Sequence, residues 1–385
     1  MSGPVVPPVV TRFLPRLQNV RLRMQASAVD AFVISHLPNI RYLTGFTGTA
    51  GLLVLTPSAG VLVVDFRYQT VARRLVASIP DLDTHLTIVV PARSYDETVA
   101  EVLRESGARR IGVEATSMPV SRFNRLSAAL AGSAPTPLRS PDGCPALVPT
   151  ERIVESARLV KDESEIAILK EAGRRLGAVS AEIASLARPG RTELEVAGEL
   201  DGLLRRIGFE RPAFETIVAS GPNAALPHAR PGSRVLQAGD GVVLDFGGVY
   251  DGYCVDLTRT VELGSAGADF RRLFVAVEEA QQAAVAAVRP GVQASAVDGA
   301  ARAALGRYGL EEAFGHGTGH GLGLEVHEEP RIGRPIAGLP DLVLQPGMVF
   351  TVEPGVYIEG LGGVRIEDDV LVTDTGCVVL TANGG

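Results

Sequence analysis

Residues 188–208 and 289–309 repeat one another at a fixed offset, 289 − 188 = 101 positions, sharing Arg-Pro-Gly (188–190 and 289–291), Val196/Val297, Gly198/Gly299, Leu204/Leu305, Arg206/Arg307 and Gly208/Gly309. Eight identities in twenty-one positions read as a Pro-Gly turn and a following helix used twice. What comes after each copy is also parallel. The first is followed by His228 and then Asp245 and Asp256; the second by His320 and His327 and then Glu353 and Glu367. Such a chain is expected to fold its C-terminal part as two similar halves, each handing two carboxylates to one central cleft.

The first acid pair lies in GVVLDFGGVYDGYCVDLTRT, where two runs rich in Val, Leu, Tyr and Thr flank Asp251-Gly252, a two-residue hairpin signal. Asp245 and Asp256 are thereby placed on neighbouring strands, and carboxylates held that close do not all ionise without a cation. Glu353 and Glu367 repeat the arrangement around Gly360, Gly362 and Gly363 in TVEPGVYIEGLGGVRIEDD, which suits a longer hairpin loop. Between the pairs, FGHGTGHGLGLEVHEEP sets His316, His320 and His327 among five glycines, three of the chain's six histidines in twelve positions. Glycines there are expected to let the backbone approach a ligand or cofactor. Asp245, Asp256, His320, Glu353 and Glu367 together read as a cage for two divalent metal ions able to activate water. Four carboxylates and one imidazole form a harder donor set than the His- and Cys-rich sets of zinc, so Mn²⁺ is the first expectation and Co²⁺, Fe²⁺ or Zn²⁺ the alternatives.

Through LPHARPG, LDFGGVYDGYCVDLTRT, GHGTGHGLGLEVHE, TVEPGVYI and GGVRIEDDVLVT, residues 151–383 resemble the pita-bread metallopeptidases. That is the family of methionine aminopeptidase, aminopeptidase P and Xaa-Pro dipeptidase (prolidase), and the likeness is to the Xaa-Pro-cleaving branch. The resemblance implies an α+β catalytic domain of pita-bread (creatinase/aminopeptidase-like) fold with a pseudo-twofold repeat. It implies that Asp245 and Asp256 bind one metal, that Asp256 is shared, that His320 belongs to the other, and that Glu353 and Glu367 complete the pair. It further implies hydrolysis of Xaa-Pro bonds by a metal-bridged hydroxide, with Glu353 as both ligand and proton shuttle and His327 donating to the carbonyl or gem-diolate oxygen. His228 and His316 would line the substrate pocket. Arg365 and Tyr357 would support the acid ligands or bind substrate, although Arg365 would serve equally as a plain counter-ion to Glu367 or Asp368. A dedicated pocket is useful because the amide before proline has no N–H. The leading expectation is an Xaa-Pro dipeptidase acting on proline-containing dipeptides. The alternatives are an aminopeptidase P acting on longer Xaa-Pro-Yaa peptides, a metal-independent creatinase-like hydrolase, and a non-catalytic peptide-binding module. All five ligand positions hold the expected residue types, which weighs against the last two.

A chain of 385 residues exceeds what one hydrophobic core serves, so two domains are expected. AFVIS, GLLVLT, GVLVVD, LTIVV and RIGVE read as strands, and residues 67–77, 95–106 and 120–131 carry helical spacing. These define an N-terminal α/β domain over residues 11–150, closed by the Pro- and Gly-rich GSAPTPLRSPDGCPALVPT, with PNIRYLTGFTG and DFRY resembling the N-terminal domain of the same family. Residues 1–10 read as a flexible tail, and residues 151–385 as the catalytic domain, opening on an Asp162/Glu165 N-cap pair and an apolar stripe from Ile166, Leu169 and Leu176. A formal charge of −7 without a basic tract excludes a general nucleic-acid surface, and no 18-residue apolar run offers a membrane span. Cys144, Cys254 and Cys377 give no disulfide framework or zinc motif and suit a reducing cytosol. A cytoplasmic homodimer is expected, with neither nucleic acid nor membrane as partner.

Overall fold

The computed structural model describes residues 12–131 and 145–382, so the expected tail at residues 1–10 lies outside them. The chain forms two compact units, Met1–Arg158 and Leu159–Gly385.

The first unit runs α1 (Phe13–Ala26), β1 (Ala31–Ile34), α2 (Leu37–Thr44), β2 (Leu52–Leu55), β3 (Gly60–Val63), α3 (Phe66–Ser78), β4 (Leu86–Val89), α4 (Tyr95–Ser106), β5 (Arg110–Glu114), α5 (Val120–Ala131), β6 (Ala146–Thr150) and α6 (Glu155–Arg158). Its strands make one mixed sheet in the order β4-β3-β2-β1-β5-β6. The five expected strands and three expected helices are present. Three further helices, α1, α2 and α6, join them: α1 buries Phe13, Leu17, Val20 and Met24 at helical spacing, and its Pro15 stands in the first turn, where a missing N–H costs little. The end of the Pro- and Gly-rich stretch that closes the domain forms β6, parallel to β5, and Pro149 is tolerated there because β6 is an edge strand. Tyr42 donates to the Ala157 carbonyl (3.0 Å) and Arg158 Nη1 to Asn39 Oδ1 (2.7 Å), which fastens α6 to this unit and carries it past residue 150.

The second unit continues with α7 (Glu163–Ser180), α8 (Ile183–Leu186), α9 (Glu193–Arg206), β7 (Arg211–Pro212), β8 (Ile217–Ser220), β9 (Gly241–Tyr250), β10 (Tyr253–Glu262), α10 (Ala268–Ala287), α11 (Ala294–Gly306), β11 (Gly319–Gly321), β12 (Glu328–Ile332), β13 (Val349–Val352), β14 (Gly355–Ile358), β15 (Gly362–Arg365), β16 (Asp368–Val372) and β17 (Cys377–Val379). Asp162 caps α7 in a reciprocal capping box with Glu165. β9 and β10 pair antiparallel with β7 and β8 alongside β9, and β12-β11-β13-β16-β17 form a second antiparallel sheet. Helices α7 and α9 pack the core of the first half around Leu169, Leu176, Leu200 and Phe246, and α10 and α11 that of the second around Leu273, Val297, Leu305 and Phe350. Among the described residues, no helix is long and apolar enough to cross a membrane.

The repeat is visible in backbone hydrogen bonds. Gly190 N–H donates to Leu236 O and Gly291 N–H to Leu344 O, both at 2.9 Å, while Thr192 bridges Val235 as Gln293 bridges Val343. Phe209 N–H closes on Leu204 O at 3.1 Å, as Leu310 N–H does on Leu305 O. The shared Arg-Pro-Gly is explained by dihedral and not by space: Gly190 and Gly291 hold φ of 92° and 85° in open surroundings, a turn that only glycine makes cheaply.

Candidate metal centre and substrate cavity

The β9–β10 hairpin turns at Asp251 and Gly252, both at positive φ (44° and 76°), as a two-residue loop requires. That turn fixes the register: Asp245 lies opposite Thr258, and Asp256 opposite Gly247. Residues directly opposite share a face and residues two apart share it too, so Asp245, Asp256 and Thr258 all present to one side. The expected longer hairpin is split. β13 pairs with β16 up to Val352/Asp368, and β14 with β15 from Gly355/Arg365, in one continuous register. Glu353 and Glu367 face each other in the gap, where Pro354 cannot donate to a ladder. The gap frees both carboxylates for the cleft: Glu353 N–H is taken by Thr318 O (2.7 Å) and Glu367 N–H by Thr258 O (3.1 Å).

His320 sits in the short β11 between β12 and β13. The flanking glycines serve this packing and not a ligand: a Cβ on Gly319 would stand 1.8 Å from Thr351 O, and one on Gly321 2.1 Å from Glu329 O. The expectation that these glycines admit a cofactor is thereby corrected. His320 Nδ1 lies 3.1 Å from Gly321 O, an acceptor only, so Nδ1 carries the proton and Nε2 presents a lone pair. Nε2 is 3.5 Å from Glu353 Oε1 and 4.0 Å from Asp256 Oδ2. Burial lowers the His320 imidazole to about 4, so it is neutral at pH 7.

Donor atoms of Asp256, His320 and Glu367 lie within 4.8 Å of one another, a group able to hold a metal ion. Asp245 and Glu353 flank it. Burial, with their neighbouring carboxylates, pushes Asp256 and Glu367 well above the ordinary carboxylate range, and burial likewise raises Glu353. Asp245 Oδ1, Asp256 Oδ1 and Glu367 Oε1 are buried without a hydrogen-bond partner. Orphaned carboxylate oxygens and an unprotonated imidazole nitrogen converging on one volume fit a divalent cation by donor chemistry and by the cost of leaving them unmatched.

Arg365 pairs with Asp245, its Nη2 2.5 Å from Oδ2, and not with the expected Glu367 or Asp368. Asp368 is held by Arg259 at 2.8 Å. Arg365 also donates to Tyr357 Oη (2.9 Å), Pro227 O (3.2 Å) and Thr258 Oγ1 (3.1 Å). Tyr357 Oη in turn meets His316 Nε2 at 3.0 Å. Tyr357 thus stands behind the site, while a cavity of about 650 Å³ is lined by Asp245, Asp256, His320, Glu353, Arg365 and Glu367, with His228, His316 and His327 in its wall. The His327 ring lies 4.3 Å from that of His320, and burial lowers its titration below the ordinary range.

Three groups escaped the sequence reading. Thr258 donates to Glu367 Oε2 at 2.5 Å, and the alternation of Asp256 and Thr258 along one strand was the available signal. Asp369 Oδ2 accepts Asp256 N–H at 3.0 Å, visible beforehand only as one more acid in IEDD. Arg331 lies directly opposite His320 in the β11–β12 ladder and lines the cavity, a placement that needs the register.

Residues 167–374 match Metallopeptidase family M24, and residues 16–160 the Creatinase/Prolidase N-terminal domain. The chain is 34% identical to the Xaa-Pro dipeptidase of Pyrococcus horikoshii over 93% of this chain and 94% of that protein. Among solved structures it is similar to the Xaa-Pro dipeptidase from Bacillus anthracis (TM-score 0.87, 36% identity, 96% and 97% of the two chains). It is also similar to the X-Pro aminopeptidase from Thermotoga maritima (TM-score 0.79, 33% identity, 94% and 97%). These matches establish the two-domain pita-bread architecture.

Proposed function

The chain belongs to metallopeptidase family M24, and on that premise we propose that it is an Xaa-Pro dipeptidase working with two divalent metal ions, Mn²⁺ first among them. One observation carries the reading: orphaned oxygens of Asp245, Asp256 and Glu367 meet the bare Nε2 of His320 in the wall of a peptide-sized cavity. Asp245, Asp256, His320, Glu353 and Glu367 would hold the metals, which when bound supply Lewis acidity and a water of lowered pKa.

The remaining chemistry belongs to side chains. Glu353, whose proton affinity is raised by burial, takes a proton from the attacking water in its ionised form and passes it toward the departing proline nitrogen. His327, at the cavity wall, donates to the oxygen that develops charge on the scissile carbonyl. His228 and His316 shape the pocket, and Arg365 keeps Asp245 oriented. Arg331, placed in the wall opposite His320, offers the cation that a dipeptide's free carboxylate requires. That placement favours the dipeptidase over the aminopeptidase P reading. A cytoplasmic homodimer, its subunit count readable by light scattering, is part of the proposal: the cysteine pattern supports the compartment and the family resemblance the assembly.

Xaa-Pro and Xaa-Pro-Yaa peptides assayed side by side with Mn²⁺ test the substrate. Preferential dipeptide turnover is expected, and it should disappear in Glu353→Ala without a change in melting profile. Turnover of neither peptide by the metal-loaded protein, or near-normal turnover by the variant, sinks the assignment.

A further inference from the structure

Asp298 and Arg302 lie one turn apart on α11, 1% and 8% exposed, and neither belongs to the metal cage. Arg302 Nε donates to Asp298 Oδ2 at 2.7 Å. Nη1 donates to Phe314 O (3.0 Å), and Nη2 divides between His316 O (2.6 Å) and Asp298 Oδ1 (3.3 Å). Asp298 Oδ1 accepts both the N–H and the hydroxyl of Thr318, at 3.1 and 2.9 Å. Residues 314, 316 and 318 are therefore gripped in alternation, over a stretch that has no ladder partner of its own. The guanidinium also lies 4.4 Å from the centre of the Phe314 ring, against whose edge the His316 ring packs at 4.9 Å.

Stability alone is a weak reason for burying this ion pair, since desolvation offsets most of its attraction. Its effect falls on direction. The grip fixes the 314–315, 316–317 and 317–318 peptide planes around His316, whose Nδ1 is tied to Gly317 O at 2.8 Å and whose Nε2 faces Tyr357 at 3.0 Å. The other half of the molecule contains a parallel device. Glu193 on α9, fully buried, accepts from Ser220 N–H (2.8 Å), Asn223 Nδ2 (3.1 Å) and Gly232 N–H (3.2 Å), bracketing the loop that carries His228.

We propose that Arg302, held by Asp298, is a positioning residue for peptide hydrolysis, fixing residues 314–318 so that His316 keeps its place in the wall of the substrate cavity. The proposal rests on that cavity being the peptide site. The test uses metal-loaded full chain carrying Arg302→Met or Arg302→Lys, each alone and combined with His316→Ala, with kcat, KM and melting temperature measured for an Xaa-Pro dipeptide. Misplacing a pocket group by a fraction of an ångström is expected to raise KM about tenfold in Arg302→Met, with a smaller change in kcat. In the His316→Ala background the same change should alter KM less than about twofold, because coupled residues do not add. The loss of melting temperature should be alike in both backgrounds. Arg302→Lys keeps the ion pair but cannot serve two carbonyls, so it should retain most of the melting temperature with an intermediate KM; it reads the same cycle should the Met variant not fold. Independent effects on KM, or a lowered melting temperature with unchanged KM, overturn the proposal.

A second readout does not depend on the substrate. Burial lowers the His316 imidazole to about 4, with the Arg302 charge a lesser cause, so the charge-conserving Arg302→Lys is the variant to titrate, and NMR should find His316 moved up toward the ordinary value in it. An unmoved titration refutes the positioning role even if no Xaa-Pro peptide is turned over. Failure of turnover in the wild type alone would instead overturn the substrate assignment.

Discussion

Replacing Arg365 by Met should destabilise the metal-free protein far more than the metal-loaded one. The guanidinium is buried, with side-chain exposure of 4% against 12% for Asp245, and its four hydrogen bonds reach Asp245, Tyr357, Pro227 and Thr258. Met conserves much of the stem but leaves the Asp245 carboxylate without its cation among three other acids. Removing one partner of a buried ion pair costs about 3–5 kcal/mol. At roughly 2–4 °C per kcal/mol for a domain of this size, the metal-free melting temperature should fall by about 6–20 °C. A bound divalent cation supplies positive charge to the same carboxylate, so the loss with saturating Mn²⁺ should be smaller. By linkage the variant then gains more from metal than the wild type does, beyond the roughly 2.7 kcal/mol that any ligand gives at a hundredfold excess over Kd. Calorimetric melting of chelated and Mn²⁺-loaded protein, wild type and variant, gives all four corners of the cycle. Equal losses with and without metal, or a metal-free loss below about 1 kcal/mol, would refute the claim that Arg365 and the metal share Asp245.

Metal binding should release protons at pH 7, because burial and neighbouring acids push Asp256 and Glu367 up and the metal must displace what they hold; titration calorimetry in two buffers of different ionisation enthalpy reads this, and no net release contradicts it. Since these folded-state values lie above the unfolded ones, the stabilisation is present below the ordinary carboxylate range and lost as pH rises through the raised values. The chelated protein should therefore melt lower at pH 8 than at pH 5 while the loaded protein does not, and a flat chelated profile would count against the acid cluster. Gly319→Ala places a Cβ 1.8 Å from Thr351 O, so a loss of about 3 kcal/mol with weakened Mn²⁺ affinity is expected from displacement of His320; unchanged affinity would show that β11 does not set the imidazole.

Much of the candidate site is legible in the sequence because its geometry is local. The Asp251-Gly252 turn dictates the register of β9 and β10, and register dictates that Asp245 and Asp256 share a face. The repeated Arg-Pro-Gly marks a φ that the backbone adopts in both halves, so the duplication showed as sequence identity. α1 and β6 were missed where proline masked the pattern: Pro15 inside the first turn of a helix, and Pro149 in an edge strand that its neighbour stabilises.

What the sequence determined by itself was therefore the candidate donor set, the two hairpins and the fold that unites them, since turn type and side-chain alternation act over a few residues. Which charge answers which was decided only by tertiary structure. Arg365 is two residues from Glu367 and three from Asp368, yet it binds Asp245, 120 positions away. Residues two apart on an extended strand share a face but stand roughly 7 Å apart, so the group that reaches Arg365 comes from another strand and nearness along the chain does not name it. The same holds for Arg331 opposite His320 and for the grip of Arg302 on the loop of His316. Those partners exist because two halves, each with its own core, bring their acid hairpins side by side, and the long-range packing that joins them leaves no local mark in the sequence.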